Sequence, residues 1–406
     1  MSPRPLGRPR PMFASCAQGA EPYLAEELKR LGGERVEPAH LGVYFTASDE
    51  VMWRVNAYSR LANRVLIPIA EFPAPTREAL YEGARRVRWD WWVHTTQTVA
   101  VDSTSVGSAL SHTHFISQVV KDALVDSMRD RFGDRPSVDP LNADLPINAR
   151  LNNDHCTLSL DASGERLHRR GYRDEGGSAP LKETLAAQLI YMAGWRVEEP
   201  LIDLTCGSGT IITEAAQRAA RVPPNLHRAE EGGFAFTRWR SHTPDRFAEW
   251  LRRAPRPEPL PAHLWGSDIN RRQVARARVN AERAGVAGLC EWREGDLRGL
   301  AAEAAEWARP FVEARGERAE GERAGLLLMN PPYGERMEVR DGLVEFYRDL
   351  GAALKAHFPG YEAWMIVEES SPWREVGLKP ATRVPVRNGA LSCLLVSFPL
   401  RARAEP

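Results

Sequence analysis

The stretch Pro200-Leu-Ile-Asp-Leu-Thr-Cys-Gly-Ser-Gly-Thr210 decides the fold of the second half of the chain. Its apolar start predicts a buried strand, its glycines predict a tight turn, and residues 211–220 continue as a helix. Strands and helices then alternate to the end of the chain, which predicts a largely parallel α/β sheet with helices on both faces. The later predicted strands are 264–268, 291–296, 325–330, 362–367 and 392–399.

The turn of this stretch indicates what it binds. Gly207 and Gly209 remove side chains where the backbone has to pass close to a ligand. The pattern differs from a dinucleotide fingerprint because Asp203 precedes the glycines and no third glycine follows. A carboxylate in this place suits a ligand with an ammonium group. Cys206 belongs to the same turn, which argues against a role as a covalent nucleophile.

Three acids follow successive strands of the predicted sheet. Asp203 ends the first strand, Asp268 the second and Asp296 the third. Asp268 suits a ribose diol, and Asp296 suits the amino group of an adenine. Each acid alone is weak evidence, since Asp is common at strand ends and helix caps. Together, in order along one sheet edge, they predict a pocket for S-adenosylmethionine.

The tetrapeptide Asn330-Pro-Pro-Tyr333 ends the central strand. Two prolines make this tip stiff, and an alternative interpretation is a strand end capped by Asn330. As a functional tip, the Asn330 side chain and the Pro331 carbonyl would accept both N–H groups of an exocyclic amine, while Tyr333 stacks on the base. The tip would act by placement and electrostatics, without a metal or a covalent intermediate. The tetrapeptide alone does not separate guanine from adenine.

The first half of the chain has a different pattern. Residues 12–70 alternate strands and helices as a small α+β domain, and residues 111–132 predict a long amphipathic helix. The tryptophan cluster 89–92 is interpreted as core or a domain seam, with a base-stacking platform as the alternative. The basic run 168–173 predicts contact with RNA phosphates or a solvated linker.

Composition sets limits on the class of protein. The chain has 406 residues, a formal net charge of zero and five cysteines without CxxC pairing, which fits a reducing cytoplasm. No apolar run approaches the length of a membrane span, so we expect a cytoplasmic protein without membrane contact. Residues 1–11 lack the apolar core of a signal peptide and are predicted to form a disordered leader. Because the net charge is zero, a nucleic acid would have to meet local basic patches.

These residues together resemble a known family. The stretch from Asp203 to Thr210, Ser267-Asp-Ile269, Gly295-Asp-Leu297 and Asn330-Pro-Pro-Tyr-Gly-Glu-Arg336 look like class I amino-methyltransferases that modify RNA guanine at N2. Phe13-Ala-Ser-Cys16 resembles the ferredoxin-like start of those enzymes. Residues 71–172, ending in Leu167-His-Arg-Arg-Gly-Tyr172, resemble their THUMP RNA-binding module. The resemblance is strongest to the bacterial 23S rRNA group.

The resemblance implies a fold and a domain order. We expect an α/β, Rossmann-like class I methyltransferase domain preceded by an α+β ferredoxin-like/THUMP RNA-binding module. The expected boundaries are a leader at 1–11, a ferredoxin-like domain at 12–70, a THUMP domain at 71–172 and a methyltransferase domain at 173–406. The insertion 221–262 and the segment 301–324 have no pattern that the resemblance explains.

The resemblance also implies the site residues. Contact with the target amine is expected from Asn330, Pro331, Pro332 and Tyr333, and no metal is expected. Contact with the cofactor S-adenosylmethionine is expected from Thr184, Asp203, Thr205, Cys206, Gly207, Gly209, Thr210, Asp268, Ile269, Asp296, Leu297 and Asn330.

The expected reaction is N2-methylation of a guanosine in 23S rRNA, with the base flipped into the pocket. The nearest alternative is a tRNA guanosine, since tRNA enzymes share this domain order. N6-methylation of DNA adenine uses a similar tip but leaves the first half unexplained. A catalytically inactive RNA-binding assembly factor would not need the acids or Asn330. The chain is taken as a monomer.

Overall fold

In the computed structural model, the described part of the chain comprises residues 8–173, 181–255, 259–317, 319, 321–332 and 340–401. These residues form two compact units. The first unit contains residues 8–16, Ala20–Leu167 and Pro223–Pro255. The second contains Ala17–Gly19, His168–Val222 and the described residues after position 255. Each unit has its own sheet.

The first unit is built on an eight-stranded sheet, counted over the described residues, with the strand order β2-β3-β1-β4-β8-β7-β5-β6. Its strands are β1 Arg10–Ser15, β2 Glu34–Ala39, β3 Gly42–Ala47, β4 Arg64–Pro73, β5 Thr98–Val106, β6 Ser137–Val138, β7 Leu145–Asn152 and β8 His155–Asp161. Its helices before residue 167 are α1 Glu21–Arg30, α2 Asp49–Tyr58, α3 Arg77–Arg85 and α4 Thr113–Phe132.

The long strand β4 joins the two expected N-terminal modules into one sheet. Its beginning pairs with β1, from Arg64↔Ser15 to Leu66↔Phe13. Its later residues pair with β8, as far as Pro73↔His155. Since a ten-residue strand is long enough to serve two partners in succession, the segments 12–70 and 71–172 share backbone hydrogen bonds.

Local sequence explains the helices of this unit. Ser48 and Thr76 cap α2 and α3, accepting from the backbone N–H groups of Val51 and Ala79. The predicted long amphipathic helix is α4, which ends at Gly133 with φ of 70°. Its buried stripe is Ile116, Val119, Val120, Ala123, Leu124, Val125 and Met128.

The segment 223–255 packs in the first unit, whereas the sequence had assigned it to a methyltransferase domain at 173–406. It contains helices α7 Leu226–Glu230 and α8 Pro244–Arg253. The buried guanidinium of Arg228 donates to the carbonyls of Ser163 and Glu165, both at 3.2 Å. A cluster of rings completes the contact: Trp53, Phe236, His242, Phe247 and Trp250.

The second unit contains a seven-stranded sheet, again counted over the described residues, with the order β11-β10-β9-β12-β13-β15-β14. Its strands are β9 Leu201–Asp203, β10 Leu264–Asp268, β11 Cys290–Glu294, β12 Leu326–Met329, β13 Glu362–Glu368, β14 Thr382–Asn388 and β15 Leu391–Pro399. Its helices are α5 Glu183–Met192, α6 Thr210–Ala219, α9 Arg271–Arg283, α10 Leu297–Ala314 and α11 Arg340–His357.

The pairing of these strands confirms the predicted class of fold. Strands β11, β10, β9, β12 and β13 are parallel, and β15 runs antiparallel to β13 and β14. One core cluster packs α5, α6 and α9 on one face of the sheet, and a second packs α10 and α11 on the other. The strand order reverses at β9, and ligands of such sheets bind at the carboxyl ends beside the reversal.

The Ala/Glu/Arg segment that had no pattern is largely α10, which buries Ala301, Ala304 and Ala308. Strand β14 had not been predicted, because its polar residues and Pro385 disguise an edge strand. Among the described residues, no helix combines the length and the apolar character needed to cross a membrane.

The basic run 168–173 was predicted to be a solvated linker or an exposed RNA contact. Two of its residues, Arg170 and Tyr172, are neither. Arg170 and Tyr172 are buried in the second unit. Arg170 forms an ion pair with Glu214 of α6, and the Tyr172 hydroxyl donates to the same carboxylate at 2.9 Å. The buried Glu214 carboxylate therefore explains why two residues of a basic run turn inward.

Candidate active site

A cavity of about 790 Å³ opens at the carboxyl ends of β9, β10 and β12. We call it the cofactor cavity. Its volume lies within the range of about 300–1,000 Å³ that is typical of small-molecule sites. The turns after β9, β10 and β11 and the first residues after β12 form most of its wall, together with residues of α9 and α11.

Asp203 ends β9 and is almost completely buried in the wall of this cavity. Its Oδ1 accepts hydrogen bonds from Thr205, at 3.0 Å from the backbone nitrogen and 3.4 Å from Oγ1. Burial raises the pKa of Asp203 to about 8; the hydrogen bonds from Thr205 oppose the rise, and the charge of Asp268 adds to it. A cationic ligand group beside Asp203 would favour its ionised form.

Asp268 links the turn after β9 to the turn after β10. Its Oδ2 accepts from the Gly207 backbone nitrogen at 2.9 Å, and its Oδ1 accepts from the Asn270 backbone nitrogen at 2.8 Å. Since a carboxylate oxygen can accept more than one hydrogen bond, both oxygens keep capacity for a ligand. The half-buried Asp268 is therefore fixed in direction at the cavity wall.

The two glycines of the turn have different roles. Gly207 has a φ of 53° and lines the cavity, and a Cβ added there would meet nothing within 4 Å. Gly209 begins α6 with a φ of 78°, and an added Cβ would lie 2.5 Å from the Trp292 ring. Only Gly207 leaves space on the ligand side, whereas Gly209 permits close packing of helix on sheet.

Asp296 is the N-cap of α10, and its Oδ1 accepts from the Arg298 backbone nitrogen at 2.9 Å. It also lines the cavity with its neighbours Gly295 and Leu297. The structural role of a helix cap and a ligand contact are compatible here, because the second carboxylate oxygen makes no hydrogen bond within the described chain.

Asn330 follows β12 and lines the cavity. Its Oδ1 is buried and has no hydrogen-bond partner in the part of the chain that the structure describes. A buried amide oxygen without a partner is costly, so a ligand donor at this position would be favourable. Pro332 also lines the cavity, and its carbonyl accepts from the Tyr347 hydroxyl at 3.4 Å.

Comparison with known proteins now identifies the family. The model of the RMKL-like, methyltransferase domain matches residues 170–397, more than half of the chain. Before it lie matches to the RlmL ferredoxin-like domain at residues 11–66 and to the THUMP domain at residues 74–161.

The chain belongs to the RMKL-like methyltransferase family. The predicted family, the class I fold and S-adenosylmethionine as the cofactor are thereby confirmed.

Two curated relatives and one solved structure show how far the likeness extends. "Putative RNA methyltransferase slr0064" from Synechocystis sp. is 38% identical over 96% of this chain and 97% of its own length. "Ribosomal RNA large subunit methyltransferase K/L" from Syntrophotalea carbinolica is 38% identical over 97% of this chain but only 54% of its own length. The crystal structure of "SMU.472, a putative methyltransferase complexed with SAH" has a TM-score of 0.80 at 26% identity, covering 98% of this chain and 100% of that one.

The cavity residues of this RMKL-like methyltransferase fit the cofactor. Asp203 would present a buried carboxylate to an ammonium group, and Asp268 would present two oriented oxygens to a ribose diol. The empty space beside Gly207 leaves room for the ligand to approach the backbone. Cys206 is a poor nucleophile because burial, with the charges of Asp203 and Asp268, raises its pKa well above the ordinary value.

The structure brings most of the predicted site residues of the RMKL-like domain to one cavity. Thr184 is buried outside its wall, as are Gly209 and Pro331. Tyr333 lies outside the described residues. The predicted residues that line the cavity are Asp203, Thr205, Cys206, Gly207, Thr210, Asp268, Ile269, Asp296, Leu297, Asn330 and Pro332.

Sequence reasoning missed several residues of the cavity wall. Asn280 of α9 donates from Nδ2 to the Ser208 carbonyl at 2.9 Å and so supports the glycine turn. Its spacing from Gln273, two helical turns earlier, was an available signal. The other missed wall residues are Arg173, Leu181, Leu204, Ser208, Ile211, Asn270, Gln273, Ala275, Arg276, Val279, Gly295 and Phe346.

Proposed function

We propose that this RMKL-like methyltransferase methylates the exocyclic N2 of a guanosine in 23S rRNA. The observation that carries the proposal is the buried Asn330 Oδ1, which lines the cofactor cavity and has no partner in the described chain. An exocyclic amine has the N–H donor that this oxygen requires. The proposal places that amine at the end of β12.

In this proposal, each polar residue of the cavity binds a different part of the cofactor or of the target base. Bound S-adenosylmethionine supplies an electrophilic methyl group. Asp203 holds the ammonium end of the cofactor, Asp268 holds the ribose, and Asp296 lies at the adenine end. Asn330 accepts an N–H group of the base and so orients its nitrogen. The Pro331 carbonyl, predicted as the second acceptor, does not line the cavity and is not assigned to this contact. The rate gain comes from placement of the amine by a fixed acceptor.

A surface of the first unit supports an RNA substrate. Arg85, Arg86, Arg88 and Arg131 surround a hollow of about 340 Å³ between the end of α3 and α4. We call it the arginine hollow. All four side chains are exposed, and the Arg88 guanidinium lies over the half-buried ring of Trp91, 4.8 Å from its centroid. Exposed guanidinium groups beside an aromatic ring are suited to phosphates and bases.

The tryptophans of the cluster 89–92, which lies beside the arginine hollow, differ in their surroundings. Trp89 belongs to the core and donates from Nε1 to the Ala84 carbonyl at 3.0 Å. Trp91 and Trp92 are only half-buried, and Trp92 meets Trp239 edge to face. Trp89 is therefore a core residue. The alternative interpretation, a surface on which bases stack, is proposed for Trp91.

The rRNA relative with the K/L name supports the choice of 23S rRNA, although this chain spans about half of its length. Methylation of tRNA guanosine is the second candidate, because a THUMP domain suits either RNA. A flipped adenine would also satisfy Asn330, since its amine carries the same N–H donors. The identity of the base must therefore be read from the product.

The experiment supplies the purified full chain with S-adenosylmethionine labelled on its methyl group. Unmodified 23S rRNA and bulk unmodified tRNA are offered separately, and the labelled nucleoside is identified by mass spectrometry. Labelled N2-methylguanosine in 23S rRNA is the expected result. Label in tRNA alone, or on N6 of adenosine, would contradict the proposal; absence of transfer to any RNA would favour an inactive binding protein.

A further inference from the structure

A buried charge network begins where the chain enters the second unit. The guanidinium of Arg170 and the carboxylate of Glu214 have no exposed side-chain surface and lie 2.5 Å apart. The Tyr172 hydroxyl donates to the other oxygen of Glu214. Because a broken buried pair leaves an uncompensated charge, this network holds residues 170–172 firmly against α6.

The next residue, Arg173, is directed into the wall of the cofactor cavity. Its Nη1 donates to the Leu181 carbonyl at 2.7 Å and lies 3.3 Å from Glu183 Oε1. The side chain is only 13% exposed. The hydrogen bond and the ion pair that Arg173 forms within the described part of the chain both use Nη1, and Nε and Nη2 are further donors that a ligand could accept from.

The carboxylate of the cofactor requires a cationic partner among the charged residues that line the cavity. Three aspartates and two arginines, Arg173 and Arg276, line it. The methionine end of the cofactor carries an ammonium group and a carboxylate on the same carbon. The buried Asp203 suits the ammonium, but aspartates repel the carboxylate. Arg276 is exposed on α9, whereas Arg173 is held in the wall and shielded from solvent.

We propose that Arg173 binds the α-carboxylate of the methionine moiety of S-adenosylmethionine. A planar guanidinium matches a carboxylate with two parallel donors, and a largely buried cation binds an anion more strongly than an exposed one. The network of Arg170, Tyr172 and Glu214 positions Arg173. This assignment gives the basic run 168–173 a role in cofactor binding in place of RNA contact.

The test is calorimetric binding of S-adenosylmethionine and of decarboxylated S-adenosylmethionine to the full chain, without RNA. Arg173→Gln should weaken binding of S-adenosylmethionine by about 10- to 100-fold, the scale of a hydrogen bond between charged groups. Binding of the decarboxylated ligand should change by less than about twofold. Arg173→Lys should recover part of the loss, because it restores the charge without the planar fork.

Arg276→Gln is the matched control, since it removes the other cavity arginine and should affect the two ligands by the same factor. An equal loss for both ligands in Arg173→Gln would assign Arg173 a purely structural role and overturn the proposal. Unchanged binding of both ligands in Arg173→Gln would show that Arg173 does not contact the cofactor and would also overturn the proposal. Because the assay contains no RNA, its result is independent of the proposed rRNA activity.

Discussion

The cofactor cavity of the second unit and the arginine hollow of the first carry groups of opposite charge in opposite settings. Asp203 is almost completely buried in the cavity wall and Asp268 is half-buried, and neighbouring backbone groups fix the direction of each. The arginines of the hollow are exposed at the end of α3, in the segment that follows it, and on α4. The cavity therefore presents a few oriented groups to a small ligand, whereas the hollow presents a set of exposed charges.

The same two regions also differ in how their charges are balanced. In the hollow, Arg85 pairs with Asp130, while Arg88 and Arg131 share Asp90. Arg86 forms no ion pair within the described residues. Exposed pairs of this kind contribute little to stability and exchange partners easily, so phosphates can compete for them. We expect changes in the cavity to have large individual effects and changes in the hollow to have small, salt-dependent ones.

The largest effect is expected at Asn330. Asn330→Ala removes the acceptor for the target amine and should lower the methyl-transfer rate by about 100-fold or more. Cofactor affinity, measured by calorimetry, should stay within about threefold of the original value. Asn330→Asp keeps an oxygen acceptor and should retain more activity than the alanine variant. An unchanged rate in Asn330→Ala would remove this residue from the mechanism.

The next effect concerns cofactor affinity alone. Asp268→Ala should weaken S-adenosylhomocysteine binding by about 10- to 100-fold, because a charged hydrogen-bond acceptor is lost and the Gly207 turn loosens. Asp245→Ala is the control, since it removes an exposed carboxylate from α8 of the first unit. If both variants bind equally well, Asp268 does not contact the ligand.

The pH dependence of binding should distinguish the buried carboxylate from the exposed groups. The pKa of Asp203 is raised to about 8, so in the free protein this group is protonated below that pH. An ammonium ligand requires the ionised form, so affinity should rise by up to about tenfold per pH unit from pH 6 towards 8. Binding at pH 7 should release a proton, which calorimetry in two buffers measures.

The linked effect on stability has the opposite direction. The pKa of Asp203 is about 8 in the folded protein and about 3.9 in the unfolded chain, so the protonated form stabilises the free protein. The free energy of unfolding should therefore fall as pH rises from about 4 to 8.

Asp203→Asn should make cofactor affinity insensitive to pH over this range. A flat affinity profile between pH 6 and 8 in the unaltered protein would show that no ammonium contact depends on Asp203.

The smallest effect is expected in the arginine hollow. Arg86→Gln should weaken RNA binding severalfold and make the plot of log affinity against log salt shallower by about 0.7–0.9, the scale of one lost phosphate contact. Cofactor affinity should not change. Arg252→Gln is the control, because Arg252 is an exposed arginine of α8 outside the hollow. Equal slopes for the two variants would show that the hollow does not bind RNA.

Local patterns were sufficient to predict six of the seven strands in the sheet of the second unit and the three acids and Asn330 that line the cavity. Asp203, Asp268 and Asn330 each lie at the end of a short apolar strand. The glycines and prolines that follow mark where these strands end, and so place the three residues at one edge of the sheet. The charged edge strand β2 and the strand β14 were not predicted, because they lack the apolar run that marks a central strand.

Contacts between distant segments set the limit of sequence reasoning. The ion pair of Arg170 and Glu214 joins residues 44 positions apart, and without it a basic run indicates an exposed surface. Arg228 returns the segment 223–255 to carbonyls more than 60 residues earlier in the chain. Neither partner is implied by local periodicity or propensity, so the position of Arg173 in the cavity wall and the placement of the insertion required the structure.

Nucleoside mass spectrometry of RNA from cells that lack this gene would show directly whether the enzyme methylates 23S rRNA at N2 of a guanosine. We expect one N2-methylguanosine to disappear from 23S rRNA while tRNA nucleosides stay unchanged. The gene should restore the modification, whereas the Asn330→Ala variant should not. Unchanged N2-methylguanosine in 23S rRNA, or its loss from tRNA instead, would contradict the proposed activity.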